Sequence, residues 1–203
     1  MLKQAIFIKS SASKEKVSFD VNRALTKEGR ELCERRRHDI TALMTESHTH
    51  NVVITSCSVR SAETEMLIYG NPEASRHHCA ELYMPPFGSS DYGKIENILC
   101  SERHDDTSAY SYYADNEPLV FKRFKKRVKK KLSSILHDLP EAENLLVVQD
   151  SILMIPTAIA FTEILEARGG GCLVNLHGLG PCEGFVIKNM EKNKIITLEY
   201  IDG

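Results

Sequence analysis

Short apolar runs of strand length recur along this chain, and longer segments with helical periodicity separate them. The runs at 5–8 (AIFI), 51–55 (NVVIT) and 144–148 (NLLVV) have the composition of buried strands. Residues 81–84 are expected to add a third strand in chain order, and a hairpin turning at 191–193 is expected to close the chain. The two strands of that hairpin are expected at 184–188 and 194–200.

Helical segments fill the intervals between these runs. Apolar residues recur at spacings of three and four in the third of them, and Thr26 is placed to cap the first. The predicted helices cover about 27–45, 58–69, 119–137 and 151–168. Strands that alternate with helices pair in parallel and bury both faces of the sheet. The sequence therefore predicts an α/β fold: a three-layer α/β/α sandwich with a mostly parallel central sheet and an antiparallel edge strand.

The bulk composition is that of a globular protein without a dominant charge. The 203 residues suit a single domain spanning 1–203, in which the irregular segment 85–118 is interpreted as an insertion over the core. A net charge of −2 does not make the whole chain an electrostatic match for nucleic acid. The first residues hold too short an apolar run for a signal peptide, and no stretch reaches the roughly 18 apolar residues of a membrane span.

The cysteines and histidines lack the spacing of a metal site. Six cysteines occur without a C-x-x-C pair, and we expect them to be reduced, mostly buried, and part of a cytoplasmic protein. The histidines around His48 and His77 are expected in exposed loops, and His177 in a glycine-rich turn. The pattern implies no metal and no cofactor.

Polar residues follow three of the predicted strands at the point where each strand ends. In an open parallel sheet, ligands bind outside the carboxyl ends of the strands. We therefore expect these residues to form a ligand-binding crevice in which Lys9, Arg60 and Asp150 converge. The crevice residues are Lys9, Ser10 and Ser11 after the first strand, Arg60 after the second, and Gln149 and Asp150 after the NLLVV strand.

The order and content of these segments resemble the histidine phosphatase superfamily. Residues 23–29 (RALTKEG) match the family segment Arg-x-Leu-Thr-x-x-Gly fully. Residues 55–64 (TSCSVRSAET) keep the second serine, the arginine and the last threonine of the family motif Ser-Ser-Pro-x-x-Arg-Ala-x-x-Thr. Residues 145–150 (LLVVQD) stand where the family has an apolar strand ending in Ser-His or Gly-His. The resemblance implies a phosphoglycerate-mutase-like fold and a phosphatase, closest to the small bacterial phosphohistidine phosphatases.

The departures from the family lie at the positions that carry its chemistry. The family's nucleophilic histidine is matched by Ser10, and the arginine before it by Lys9. The second family histidine is matched by Asp150, whereas the arginine of the second motif survives as Arg60. Glu81 is a weak match for the family's glutamate proton donor. The resemblance thus assigns the catalytic positions to residues of altered chemistry.

Asp150 changes what the crevice attracts. A carboxylate about 4 Å from a phosphate repels it by about 4 kcal/mol per unit charge at an effective dielectric of about 20, which is roughly three powers of ten in affinity. We expect Asp150 to pair with Lys9 or Arg60 and to close the crevice to phosphate. The chain is then a catalytically impaired domain that binds a ligand or a partner. The alternative is an active phosphatase for a phosphorylated or other anionic ligand, with Ser10 as nucleophile and Asp150 as its base.

Residues 122–131 (KRFKKRVKKK) carry eight cations in ten positions. One interpretation is a basic patch for nucleic acid or for an acidic protein partner. The other is the solvated face of an amphipathic helix, in which lysine stems cover apolar surface. Binding that weakens strongly with salt would favour the first interpretation. The patch comprises Lys122, Arg123, Lys125, Lys126, Arg127, Lys129 and Lys130.

Overall fold

The computed structural model describes residues 2–12, 22–44, 50–83, 89–94, 118–167, 181–188 and 197–201. The predictions made for most of the segment 85–118, for the turn at 191–193, and for His48 and His177 lie outside these residues. In the described ranges, no helix is both long enough and apolar enough to cross a bilayer.

One mixed sheet contains all the strands of the described ranges. They are β1 (Gln4–Lys9), β2 (Asn51–Ser56), β3 (Ser75–Cys79), β4 (Asn144–Gln149), β5 (Gly184–Lys188) and β6 (Thr197–Ile201). The spatial order is β3-β2-β4-β1-β5-β6. The first four strands are parallel to one another, whereas β5 runs antiparallel to β1 and β6 antiparallel to β5. The predicted α/β class, with a mostly parallel sheet and an antiparallel edge, is confirmed.

In the described parts of the chain, four long helices connect the strands, and each begins and ends within two residues of its predicted position. They are α1 (Lys27–Leu43), α2 (Val59–Ile68), α3 (Pro118–Asp138) and α4 (Ser151–Ala167). The predicted cap is present, because the Thr26 hydroxyl accepts a hydrogen bond from the Gly29 amide at 3.0 Å. Ser58 caps α2 in the same way through the amide of Ser61.

The alternation of side chains along the strands divides the core into two layers. Ile6 and Ile8 point from β1 into the layer covered by α1 and α2. Phe7, between them, points into the layer covered by α3 and α4. There it packs edge-on against Phe161 at 5.7 Å and stacks on Phe185 at 4.9 Å between ring centroids. Both faces of β1 and β4 are therefore buried, which is why the central positions of these strands are apolar.

The prediction of a strand at 81–84 is wrong. The third strand is Ser75–Cys79, which pairs only with β2 at the edge of the sheet, and Ala80–Leu82 forms a 3-10 turn. An edge strand can be half exposed and polar, so its sequence (SRHHC) lacks an apolar signal, whereas buried Leu82 and Tyr83 after it supply one. His77 and His78 consequently lie in a strand and not in a loop as predicted. The His78 Nδ1 atom lies 2.6 Å from the Thr55 hydroxyl.

Candidate functional site

The carboxyl ends of β1 and β4 lie side by side at one edge of the sheet. Lys9 and Gln149 are paired residues in the parallel register of these strands. The Ser10 amide donates to the Gln149 carbonyl at 2.9 Å, so Ser10 and Asp150 leave their strands next to each other. The structure therefore places Ser10 and Asp150 side by side at the ends of these two strands.

Asp150 is the centre of that cluster. Its Oδ1 atom accepts a hydrogen bond from the Ser10 hydroxyl at 3.0 Å and forms an ion pair with Nε of Arg60. All three side chains are buried, with 5% of Ser10, 5% of Arg60 and 7% of Asp150 exposed. Arg60, one of the two cations expected to pair with Asp150, is in contact with its carboxylate. A buried guanidinium and a buried carboxylate thus neutralise each other at the mouth of the sheet.

Arg60 reaches Asp150 because α2 begins immediately after β2. Ser58 caps the helix, and Arg60 lies in its first turn, directly above the strand end. A buried hydroxyl cluster fixes this corner: the Ser61 hydroxyl lies 2.8 Å from that of Ser56 and 2.9 Å from that of Ser58. The segment matched to the second family motif therefore holds the arginine in position.

The segment after β1 is held by contacts to both α1 and α2. The Ser11 amide donates to the Thr64 hydroxyl at 3.0 Å, and the Ser11 hydroxyl donates to the Gly29 carbonyl at 2.8 Å. Thr26 also contacts this segment, since its amide donates to the Ala12 carbonyl at 3.1 Å. Residues 23–29, the segment that matches the family fully, therefore position the strand end that carries Ser10.

Two buried acceptor atoms near the crevice lack hydrogen-bond partners among the described residues. Gln149 donates through Nε2 to the Leu82 carbonyl, but its Oε1 atom has no donor. The Oδ2 atom of Asp150 is equally buried and also has none. A site built to hold an anion presents donors, so acceptors at these two positions are unsuited to it.

Cys57 and Glu81 complete the rim of the crevice. Cys57 follows β2 and is exposed, and Glu81 lies in the 3-10 turn after β3. Although the residue as a whole is exposed, the atoms around its sulfur exclude water and raise the pKa of the Cys57 thiol, and the charges of Asp150 and Glu81 raise it further. The charges of these two carboxylates therefore disfavour the thiolate form of Cys57.

Comparison with known proteins finds likeness in structure but not in sequence. No family model and no curated protein sequence matches the chain. The protein histidine phosphatase SixA complexed with tungstate aligns with a TM-score of 0.58 at 12% identity, over 98% of this chain and 96% of that one. A phosphoserine phosphatase from Entamoeba histolytica in complex with 3-phosphoglyceric acid aligns with a TM-score of 0.57 at 12% identity, over 98% and 97%. The alpha-ribazole phosphatase from Shigella flexneri aligns with a TM-score of 0.55 at 14% identity, over 98% and 96%. The chain has the histidine phosphatase fold.

Within the histidine phosphatase fold, the family-matched positions of this chain lie where strand ends meet. Ser10 and Asp150, the positions that the resemblance matches to two family histidines, lie next to each other, and Arg60 contacts Asp150. The likeness in fold does not carry the neighbours' activities over to this chain. The catalytic roles of Lys9, Ser10, Arg60, Asp150 and Glu81 therefore stay predictions.

Most residues of the predicted basic patch contact neighbouring side chains or backbone of the protein. Arg123 pairs with Asp91 through its Nε atom at 2.6 Å. The Nε atom of Arg127 donates to the Glu81 carbonyl at 3.3 Å, and its guanidinium lies 5.3 Å from the centroid of the Phe124 ring.

Glu163 of α4 pairs with two further lysines of the patch. Its carboxylate lies 2.5 Å from Nζ of Lys125 and 3.0 Å from Nζ of Lys129. The patch residues that remain exposed, with no ion pair in the described part of the chain, are Lys122, Lys126 and Lys130.

Some residues that hold this site were not predicted from the sequence. The Glu63 carboxylate accepts from the Leu25 amide at 2.7 Å and from Arg30 at 2.6 Å, and thereby joins α2 to the segment before α1. Thr64 binds the Ser11 amide. Both follow Arg60 by one helical turn. Thr64 is the threonine of the family motif, and this match was the sequence signal that could have identified it as a residue that holds the site.

Proposed function

We propose that this chain is a catalytically impaired domain of the histidine phosphatase fold that works by binding and not by phosphoryl transfer. The observation that carries the proposal is the buried ion pair of Arg60 with Asp150. In that pair the guanidinium that would receive a phosphate is already bound to a carboxylate. Neither family position carries an imidazole, so a phosphohistidine intermediate has no residue on which to form.

The arrangement of Ser10 supports the same proposal. Its hydroxyl lies within hydrogen-bond distance of Asp150, which is the geometry of a nucleophile and its base. The same Oδ1 atom, however, already accepts a hydrogen bond from the Arg60 guanidinium, which occupies the oxygen that would receive the Ser10 proton. Phosphatase activity through Ser10 and Asp150 is therefore the less favoured alternative.

Anion binding tests the closed crevice. Tungstate is a tetrahedral oxyanion that resembles phosphate, and titration calorimetry of the wild-type protein with tungstate and with phosphate should show no binding. Asp150→Asn removes the repulsion and frees Arg60, so tungstate affinity should rise at least about tenfold. Asp138→Asn, which removes the same charge at the exposed end of α3, is the matched control and should leave affinity unchanged.

Turnover of an aryl phosphate tests the loss of catalysis. The wild-type protein should give no turnover above background, and the double substitution Ser10→His with Asp150→His should introduce it. Wild-type turnover that disappears in Arg60→Ala would refute the proposal, because it would show that the crevice binds and cleaves a phosphate ester in its present form.

The exposed lysines of α3 favour a second, compatible function. Lys122, Lys126 and Lys130 recur at every fourth position, so they lie along one stripe of the helix with about 6 Å of axial rise between neighbours. The arginines of the patch are engaged within the protein, Arg123 with Asp91 and Arg127 with the Glu81 carbonyl. Asp91 and Glu163 pair with cations of α3 and add negative charge to this surface. A narrow stripe of cations suits an acidic protein surface better than the phosphate backbone of a nucleic acid.

Charge reversal on the helix tests this second function. Binding of a polyglutamate peptide should fall steeply between low and moderate salt and should be lost in Lys126→Glu with Lys130→Glu. Arg35→Glu with Arg37→Glu makes the same change in net charge on exposed positions of α1 and should leave binding intact. Preference for a single-stranded oligonucleotide over the peptide would contradict the proposed partner.

A further inference from the structure

Two buried thiols face each other behind the crevice. The Sγ atoms of Cys33, on α1, and Cys182, before β5, lie 3.3 Å apart, and neither side chain is exposed. They are separated by 149 positions in the sequence, so the fold alone brings them together. A disulfide has a sulfur–sulfur bond of about 2.05 Å, and the thiols are therefore little more than 1 Å beyond bonding distance.

The backbone at Cys182 is bent in a way that brings the thiol to this place. Its φ angle is +58°, a left-handed conformation that residues other than glycine rarely adopt. The Cys182 amide donates to the Lys9 carbonyl at 3.2 Å, and the Lys9 amide donates to the Glu183 carbonyl at 2.8 Å. The segment is thus fixed to the end of β1, and its side chain is directed at Cys33 at some conformational cost.

The two thiols are chemically unequal. A hydrogen bond from the Cys182 thiol lowers the pKa of Cys33 although burial opposes the change, and further hydrogen bonds from Ser11 and Thr64 act in the same direction. The same contact, together with burial, raises the pKa of Cys182. Cys33 is therefore the thiol of the pair that gives up its proton more readily, and Cys182 the one that holds its proton more tightly.

We propose that Cys33 and Cys182 are a redox-active pair that a peroxide oxidises to a reversible intramolecular disulfide. The Cys33 thiol releases its proton, and its sulfur attacks one oxygen of hydrogen peroxide. The O–O bond breaks, Cys33 becomes a sulfenic acid, and the leaving hydroxide takes up the released proton and departs as water. The Cys182 sulfur then attacks the sulfenic sulfur. The S–S bond forms, the S–O bond breaks, and the hydroxyl leaves as water with the proton of Cys182.

The disulfide joins three parts of the molecule behind the crevice. It ties α1 to the segment before β5, which is itself hydrogen-bonded to the end of β1 at Lys9. Because both thiols are buried, peroxide reaches them through local opening of the fold, and oxidation is slower than at the exposed Cys57.

Peptide mapping of the full chain tests the proposal. The reduced protein is treated with hydrogen peroxide, remaining thiols are alkylated, and the digest is analysed by mass spectrometry without reduction. We expect a cross-linked peptide containing Cys33 and Cys182, lighter than the two reduced peptides by two hydrogen atoms, which dithiothreitol reverses. The oxidised protein should melt about 5 °C higher or more, because a long loop is closed. Recovery of both cysteines in alkylated form would overturn the proposal.

Two variants separate this pair from other thiol chemistry. Cys57→Ser should form the same cross-link at the same rate, since Cys57 takes no part. Cys182→Ser should form none and should accumulate a Cys33 sulfenic acid that dimedone labels. A disulfide of either residue with any other cysteine, or direct conversion of Cys33 to sulfinic acid in the wild-type protein, would also overturn the proposal.

Discussion

At Gly29, helix α1 passes so close to the segment after β1 that a side chain does not fit between them. A Cβ atom built on this residue would lie 2.2 Å from the Ala12 carbonyl oxygen. The Gly29 carbonyl accepts the Ser11 hydroxyl in the same region. The residue therefore sets how tightly the strand end that carries Ser10 is held.

We predict that Gly29→Ala lowers the free energy of unfolding by about 1 to 3 kcal/mol, because backbone must move to admit the methyl group. Urea denaturation followed by circular dichroism measures the effect. Gly93→Ala is the matched control: a Cβ atom at this position would have no neighbouring atom within 4 Å, so stability should change by less than about 0.5 kcal/mol. Equal effects of the two substitutions would show that the close approach at Gly29 is not a real constraint.

The ion pair of Arg60 with Asp150 is a second feature at the residue scale. Substitutions in this pair change the stability of the fold and the binding of anions to different extents. Removing one partner of a buried ion pair leaves the other charged and unsolvated, at a cost of about 3 to 5 kcal/mol. Asp150→Asn retains the shape and one acceptor oxygen, so it costs less and leaves a folded protein for the anion titration. Circular dichroism of the variant should therefore overlay that of the wild-type protein.

Helix α3 shows how an element distributes its charge between internal contacts and solvent. Phe124, Val128 and Leu132 are buried against the sheet, as the apolar stripe predicts. The cations beside this stripe reach the neighbouring elements, and those opposite it stay in solvent. The helix is therefore at once a structural element and the charged surface that we propose for docking.

The lysines that pair with Glu163 join α3 to α4, and this contact should respond to pH. Burial by itself would raise the pKa of Glu163, but the hydrogen bonds from Lys125 and Lys129 outweigh it and lower the pKa below its ordinary value of 4.5. A depressed pKa in the folded state means that the stabilisation is fully present above pH 4.5 and is lost as the pH falls through the folded pKa.

We predict that Glu163→Gln lowers the unfolding free energy by about 0.5 to 1 kcal/mol at pH 7, a value reduced by solvent screening of these half-exposed groups. The difference from the wild-type protein should shrink as the pH falls below 4.5. Urea denaturation at several pH values measures it. Glu141→Gln, an exposed residue without an ion pair in the described ranges, is the control. A difference that grows in acid would contradict the sign of the linkage.

At the scale of the whole molecule, the two ends of the sheet carry different polar structures. The carboxyl ends hold the crevice with its ion pair. The amino ends hold a chain of buried amides: Gln4 Nε2 donates to Asn144 Oδ1 at 2.9 Å, and Asn144 Nδ2 donates to Asn51 Oδ1 at 2.7 Å. Asn51 then donates to the Tyr69 hydroxyl at 2.8 Å. This network links β1, β4, β2 and the end of α2.

We predict that Asn144→Ala lowers the unfolding free energy by about 2 kcal/mol or more, because it removes two hydrogen bonds of the buried network, one with Gln4 and one with Asn51. Since these groups act together, the double variant Asn51→Ala with Asn144→Ala should lose less than the sum of the single losses, by at least about 0.5 kcal/mol. Ser61→Ala, at the opposite end of the sheet, should add to Asn144→Ala. If the losses of Asn51→Ala and Asn144→Ala added as fully as those of Ser61→Ala and Asn144→Ala, the two asparagines would not form a network.

Several parts of this molecule follow from the sequence alone. The apolar runs of β1, β2 and β4 and the stripe of α3 record burial directly, because the central positions of a strand covered on both faces are apolar. The resemblance to the histidine phosphatases rested on ordered short motifs, and it is confirmed at the level of fold. The placement of Ser10 and Asp150 at adjoining strand ends follows from the same order of strands.

Other features were decided by tertiary structure. The edge strand Ser75–Cys79 has no apolar signal, since only pairing with β2 makes it a strand. The choice of Arg60 as the partner of Asp150, and the meeting of Cys33 with Cys182, depend on contacts between residues far apart in the chain. Periodicity reports whether a side chain is buried along its own element, but not which distant side chain it meets, because that is set by how the elements pack.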